Sequence, residues 1–149
     1  MLIAAFLATV IGISDGDTLT VLNEDKQQVK IRLAEIDAPE NGQPFGTRSK
    51  QSLSDLCFGK QAKVTPRAKD QLGRTVARVS CDGVDANLEQ VSRGMAWVYR
   101  KYAKDHNLFI FEHEAKRQKR GLWADKSPTP PWQWKKSARY AGACLIHYV

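Results

Sequence analysis

At 149 residues and 42% hydrophobic content, the chain is long enough to bury one core and too apolar to stay disordered. Its formal net charge of +7 favours polyanionic partners, nucleic acid or acidic membrane headgroups, without choosing between them. Cys57, Cys81 and Cys144 lack metal-ligand spacing, which argues against a cysteine-based zinc site.

Met1–Ala8 is apolar and rich in small residues, but no Lys or Arg precedes Lys26. Residues 1–8 therefore read as a remnant or weak signal segment, with a first strand entering the core as the alternative. Thr9–Ser14 is β-branched and predicts a strand. Asp15-Gly16-Asp17 follows as a tight turn in which Gly16 permits positive φ. Thr18–Leu22 is a second strand, Asn23–Gln27 a polar turn and Gln28–Ile36 a third strand. Along it Val29, Ile31 and Leu33 share one face, and Lys30 and Arg32 the other.

Pro39 ends that strand, and Asn41–Gly46 reads as a loop. Thr47–Phe58 predicts a helix with Leu53, Leu56 and Cys57 inward and Gly59 at its C-terminal end. Gln61–Pro66 and Arg74–Cys81 predict strands around the polar turn Ala68–Gly73. Asp82-Gly83 is a hairpin signal before a brief return over Val84–Ala86. Asn87–Arg93 is a short helix that places Leu88 and Val91 inward and stops at Gly94. Asp105–Arg120 is the longest helix, with Leu108, Phe111 and Ala115 on its apolar face, basic residues at its end and Gly121 closing it. Ser127–Pro131 reads as extended and Trp132–Ala143 as a terminal helix, with Trp132 and Trp134 anchoring the extension. Five short strands with interposed helices predict an α+β, mainly β domain: a five-stranded OB-type Greek-key barrel with about three packed helices. An α+β sandwich is the alternative. The sequence divides into 1–8, a domain over 9–123 and a C-terminal extension over 124–149. Cys57 and Cys81 are compatible with a disulfide or with two buried thiols.

Antiparallel folding of Ile11–Glu40 brings Asp17 and Asp37 together. With Glu40 they offer the oxygen donors that a hard divalent cation needs. Arg32 and Arg74 add planar, charge-assisted grips suited to phosphate. His106, His113 and His147 are poor candidates for catalysis.

Ordered along the chain, Ile13–Thr18 (ISDGDT), Ile31–Glu40 (IRLAEIDAPE), Asp70–Arg74 (DQLGR) and Gly94–Tyr102 resemble the staphylococcal nuclease (thermonuclease) family from about Thr9 to Trp123. The resemblance implies an OB-type barrel and calcium-dependent cleavage of DNA and RNA, single- or double-stranded, at the 5′ side of phosphate to leave 3′-phosphates. By position it implies that Asp17, Asp37 and the Ala38 backbone carbonyl ligate Ca2+, and that Asp15 stands behind them. Glu40 meets the hydrated metal and positions or activates a water. Arg32 and Arg74 hold phosphate and offset transition-state charge, and Tyr102 lies at the nucleotide surface. The chain departs from the family at Ala38, where threonine is familiar, and at Leu72 and Arg100, where tyrosines are familiar. The Asn41–Gly46 loop is also shorter than in the best-known member. Leu72 and Arg100 bear on substrate positioning more than on metal chemistry, and the shorter loop on mobility around Glu40 or exonuclease-like access.

A noncatalytic OB module that stacks bases on Trp97, Tyr99 or Tyr102 is the alternative. It leaves the acidic and arginine cluster unused, as does a membrane-associated basic protein anchored by residues 1–8. A monomer without an obligate protein partner or stable membrane association is expected, in the periplasm or secreted.

Overall fold

The computed structural model describes residues 4–137. Strand β1 (Phe6–Asp15) begins three residues before the expected Thr9 because its first half has a partner of its own. Phe6–Thr9 pairs with β5 (Gln61–Lys69), while Ala8–Asp15 pairs with β2 (Thr18–Asn23). Two register shifts along the β1–β2 ladder bend the strand so that it can serve both neighbours. The meander continues into β3 (Gln28–Leu33), which buries Ile31 and Leu33 and leaves Lys30 exposed, the alternation seen in the sequence.

The expected strand Gln28–Ile36 is broken. Residues 34–35 form a turn, with Glu35 at φ 68°, and the chain resumes as β4 (Ile36–Asp37). A left-handed residue costs energy unless its surroundings hold it. Here the Glu35 carboxylate accepts the backbone N–H groups of Lys104 and Asp105 and pairs with Arg78 at 3.0 Å. β4 then pairs with β8 (Trp97–Val98) in a separate two-stranded sheet.

Strand β6 (Thr75–Cys81) runs antiparallel to β5 and parallel to β3, in the register Ile31 to Thr75, Arg32 to Val76 and Leu33 to Ala77. That parallel pair closes the order β3-β2-β1-β5-β6 into a five-stranded barrel, the OB-type architecture read from the sequence. Asp82 and Gly83 both take positive φ in a tight hairpin turn to β7 (Val84–Asp85). β5 outruns its expected end at Pro66, which is tolerated beside a register shift between Pro66 and Ala68.

Helix α1 (Gly46–Cys57) buries Leu53, Leu56 and Cys57, and a disulfide joins Cys57 to Cys81 of β6. Helix α2 (Ala86–Ser92) is capped by the Asp85 carboxylate, and α3 (His106–Arg117) by Asp105. On α3, Leu108 and Ala115 are buried as expected. Phe111 is 37% exposed, however, and Glu112 takes the inward place at 2%. Gly121 does not close α3. Lys119 adopts the left-handed conformation there, and Gly121 opens a 3-10 turn over Gly121–Ala124. Glycine is needed at Gly121 because its backbone packs on that of Gly94: a Cβ would lie 2.3 Å from the Gly94 carbonyl oxygen.

The C-terminal extension folds back on the domain. Residues 131–137 are helical, with Pro131 at the start of the helix, so the extended stretch ends one residue earlier than expected. Residues 138–143 of the expected terminal helix lie outside the described residues. No helix among the described residues is long and apolar enough to cross a membrane.

Candidate active site

The turn between β1 and β2 is locked before any chemistry is considered. Gly16 does not have positive φ; it is needed for close approach. A Cβ at Gly16 would lie 1.7 Å from the Ser49 hydroxyl of α1 and 2.9 Å from the Ala38 Cβ. Ser49 donates to the Met95 carbonyl at 2.6 Å, and the buried Gln90 amide donates to the Gly16 carbonyl at 2.7 Å. Asp15 accepts the Asp17 N–H at 3.0 Å, an Asx-type bond that aims both acids from one turn. Three helix-borne or turn-borne side chains thus fix where Asp17 can point.

Asp17 and Asp37 do come together, through Arg32. One guanidinium nitrogen lies 3.4 Å from Asp17 Oδ2 and 3.2 Å from Asp37 Oδ1. The other donates to the carbonyls of Leu33 at 2.7 Å and Ile36 at 2.8 Å, so Arg32 also clamps the β3–β4 turn. Asp17 further accepts the Ala38 N–H at 2.8 Å and the Thr18 hydroxyl at 3.0 Å. Burial pushes Asp17 up, but Arg32 and these donors outweigh it and hold Asp17 below the ordinary carboxylate range. Asp37 is pushed up to about 7, because burial and the neighbouring Asp17 outweigh Arg32. Burial and Asp17 also raise Asp15 to about 7.

Glu40 stands on the loop beyond β4. Its backbone N–H donates to the Gln43 side chain at 3.0 Å, and its carboxylate meets Lys135 Nζ at 3.0 Å. Burial opposes the Lys135 charge, but Glu40, Asp37 and Asp17 together raise its pKa.

Arg74 lies just before β6 and so beside β3 in the closed barrel. It is held by Asp70, Nε to Oδ2 at 2.7 Å, rather than by the buried acids. A cleft of about 1380 Å³ runs between the two sets of groups, and Arg32, Asp37, Arg74, Tyr102 and Lys135 all line it. Tyr102 is 60% exposed, with its ring 5.0 Å from that of Tyr99. Leu72 is 78% exposed on the cleft rim. Arg100 is turned elsewhere: it pairs with Glu112 at 3.0 Å and lies over the Phe109 ring.

Among the described residues no three acidic, histidine or cysteine side chains form a ready coordination sphere. The donor chemistry still fits a hard divalent cation. Asp15, Asp17 and Asp37 are oxygen donors in a confined space, and burial together with the neighbouring Asp17 charge shifts Asp15 and Asp37 upward.

The chain matches the model of the family described as staphylococcal nuclease homologue over residues 30–125. The chain belongs to the staphylococcal nuclease family. It is 44% identical over 130 residues to an uncharacterized endonuclease of Haemophilus influenzae, covering 87% of this chain and 73% of that one. It is 40% identical over 149 residues to the micrococcal nuclease of Shigella flexneri, covering 93% and 85%. A staphylococcal-like nuclease of Arabidopsis thaliana is 35% identical over 113 residues, 76% of this chain but 35% of that longer one. Family membership makes the coarse activity hydrolytic cleavage of nucleic acid.

Several groups that support this staphylococcal nuclease homologue's site carry no signal in the sequence. Gln43, Gln90 and Glu112 are polar residues buried by partners far away in the chain, and only the fold supplies those partners. Lys135 belongs to an extension with no local pattern pointing at Glu40.

Proposed function

We propose that this protein is a calcium-dependent phosphodiesterase that cleaves DNA and RNA and leaves 3′-phosphates. The observation that carries the reading is the Asp17–Arg32–Asp37 cluster, whose Arg32 and Asp37 line a basic cleft together with Arg74, while Glu40 meets Lys135 of that cleft at 3.0 Å. Asp17, Asp37 and the Ala38 carbonyl would hold the cation, with Glu40 reaching it through water. When bound, Ca2+ supplies Lewis-acid polarisation of phosphate and offsets the carboxylate charge.

The chain's own groups do the rest. Glu40 orients a water toward phosphorus and takes its proton as the new P–O bond forms. Arg32 and Arg74 donate to the non-bridging oxygens and stabilise the charge that grows there. The bond to the 5′ oxygen breaks, the leaving oxygen takes a proton, and phosphate stays on the 3′ side. Tyr102, exposed beside Tyr99, offers an aromatic face to a base or sugar. The enzyme acts as a monomer on single- and double-stranded substrates, without a stable membrane attachment. The Cys57–Cys81 disulfide supports a periplasmic or secreted location, since such bonds persist in oxidising compartments.

The test is turnover of single-stranded DNA and of RNA by the folded chain, in calcium and in chelator, with end-group analysis of the products. Calcium-dependent cleavage yielding 3′-phosphates is expected, with Glu40→Gln and Arg32→Ala strongly impaired. Binding without any metal-dependent turnover would overturn the assignment in favour of a noncatalytic OB module.

A further inference from the structure

The family match ends at residue 125, yet the chain beyond it is built into the cleft. Gln43 is the joint. Its Oε1 accepts the Glu40 N–H, and its Nε2 donates to the Thr129 carbonyl at 2.6 Å. One buried amide therefore fixes the Glu40 loop and the extension relative to each other. Trp132 supplies the second anchor, with its ring 5.6 Å from Trp97 and 5.7 Å from Tyr99, next to the β4–β8 pair that carries Asp37. The short helix over residues 131–137 is held at its base, and Lys135 and Lys136 face the cleft that Arg32 and Arg74 also line.

Lys135 meets Glu40 at 3.0 Å, but the two side chains are 48% and 31% exposed. A pair so open to water adds little to stability and exchanges readily for another anion. Two ammonium groups on an anchored segment, lining the same cleft as two guanidinium groups, match a strand that carries one phosphate per nucleotide.

We propose that residues 129–136 form the second wall of the substrate groove. On this wall Lys135, assisted by Lys136, binds a backbone phosphate next to the one being cleaved and leaves Glu40 free as the strand enters. The proposal rests on the nuclease reading and adds a strand-positioning subsite to it.

The experiment uses the full chain and a single-stranded DNA oligonucleotide. Steady-state cleavage and fluorescence-anisotropy binding are measured across a salt series. Lys135→Ala should raise KM about three- to tenfold, more than it changes kcat. It should also flatten the dependence of log affinity on log salt by about 0.7, the loss of one single-strand phosphate contact. Lys135→Arg should restore both. Trp132→Ala, which frees the wall from Trp97 and Tyr99, should reproduce the KM effect. A higher kcat/KM for Lys135→Ala would overturn the proposal by making Lys135 an occluding latch, and unchanged KM and salt slope would overturn it outright. Either result, obtained with a parent chain that cleaves, leaves the nuclease reading standing. A parent chain that does not cleave overturns that reading instead, and this proposal with it.

Discussion

Arg32 and Asp37 are joined at 3.2 Å across the turn that separates β3 from β4, and the same guanidinium reaches Asp17 at 3.4 Å. One side chain therefore offsets two buried acids and ties two backbone carbonyls. Arg32→Ala is expected to lower kcat/KM by roughly a hundredfold or more, the usual loss for one preorganised donor. It should also destabilise the fold by about 3 kcal/mol, as removing one partner of a buried ion pair does. Arg32→Lys should recover little, since a single ammonium cannot span four acceptors in two directions. Initial rates and urea denaturation of the three proteins check this.

The site acids set a pH dependence with a definite sign. Asp15 and Asp37 are raised to about 7 from an ordinary 3.8 by burial beside Asp17. Folding therefore favours their protonated forms. Their contribution to stability is full below the ordinary value and is lost as pH rises through about 7. In chelator, Tm should fall as the pH rises from about 4 to about 7 and level off above neutrality. On the proposed calcium-dependent reading the cation would take the deprotonated carboxylates, so calcium should raise Tm strongly at about pH 8 and weakly at about pH 5. Thermal scans with and without calcium at the two pH values give the answer. An equal calcium shift at both would remove these acids from the proposed cation site.

Gly16 and Ser49 share a space that only one side chain can fill. A Cβ on Gly16 would fall 1.7 Å from Ser49 Oγ and 2.7 Å from its Cβ. Gly16→Ala should cost about 2 kcal/mol or more and displace the Asp17 turn, as overpacking does. Adding Ser49→Gly should return part of that stability. Non-additivity of about 1 kcal/mol or more in the double-mutant cycle is the expected signature of direct contact.

Glu112 is a carboxylate inside the domain that serves the backbone. It accepts the Val98 N–H at 2.6 Å and meets Arg100 and Lys116 at 3.0 and 3.3 Å. Glu112→Ala leaves the Val98 donor unpaired in the strand that holds Asp37. A loss of about 2 kcal/mol is expected in chemical denaturation. Glu112→Gln should cost less, because its amide oxygen can still accept from Val98.

The disulfide ties α1 to β6 across a sequence separation of 24. Closing a loop of that size stabilises by roughly 3 kcal/mol in the chain-entropy account. Reduction of the native protein should lower the urea midpoint accordingly, with Cys57→Ala/Cys81→Ala reproducing the effect.

The sequence made the barrel legible wherever one strand face meets the core. Val29, Ile31 and Leu33 alternate with Lys30 and Arg32, and Asp82-Gly83 carries its own hairpin geometry. The sequence order of Asp17, Arg32 and Asp37 also anticipated their meeting, and Arg74 shares a cleft with two of them. What the sequence hid depends on contacts between distant segments. Nothing near Glu35 announces a left-handed residue, since the N–H groups that hold it come from Lys104 and Asp105. Phe111 sits at a helical spacing that fits the core, yet Glu112 took the inward place because Val98 offered it a donor. Gly121 resembles a cap in sequence, while its packing against Gly94 appears only when two turns meet.

The parallel seam between β3 and β6 also sets an order of assembly. It joins segments separated by two strands and a helix, a non-local contact of the kind that forms slowly. Until that seam closes, Arg32 and Arg74 share no surface, and the Lys135 wall comes later still in the chain. A partly synthesised or partly folded copy therefore has no groove to hold a strand.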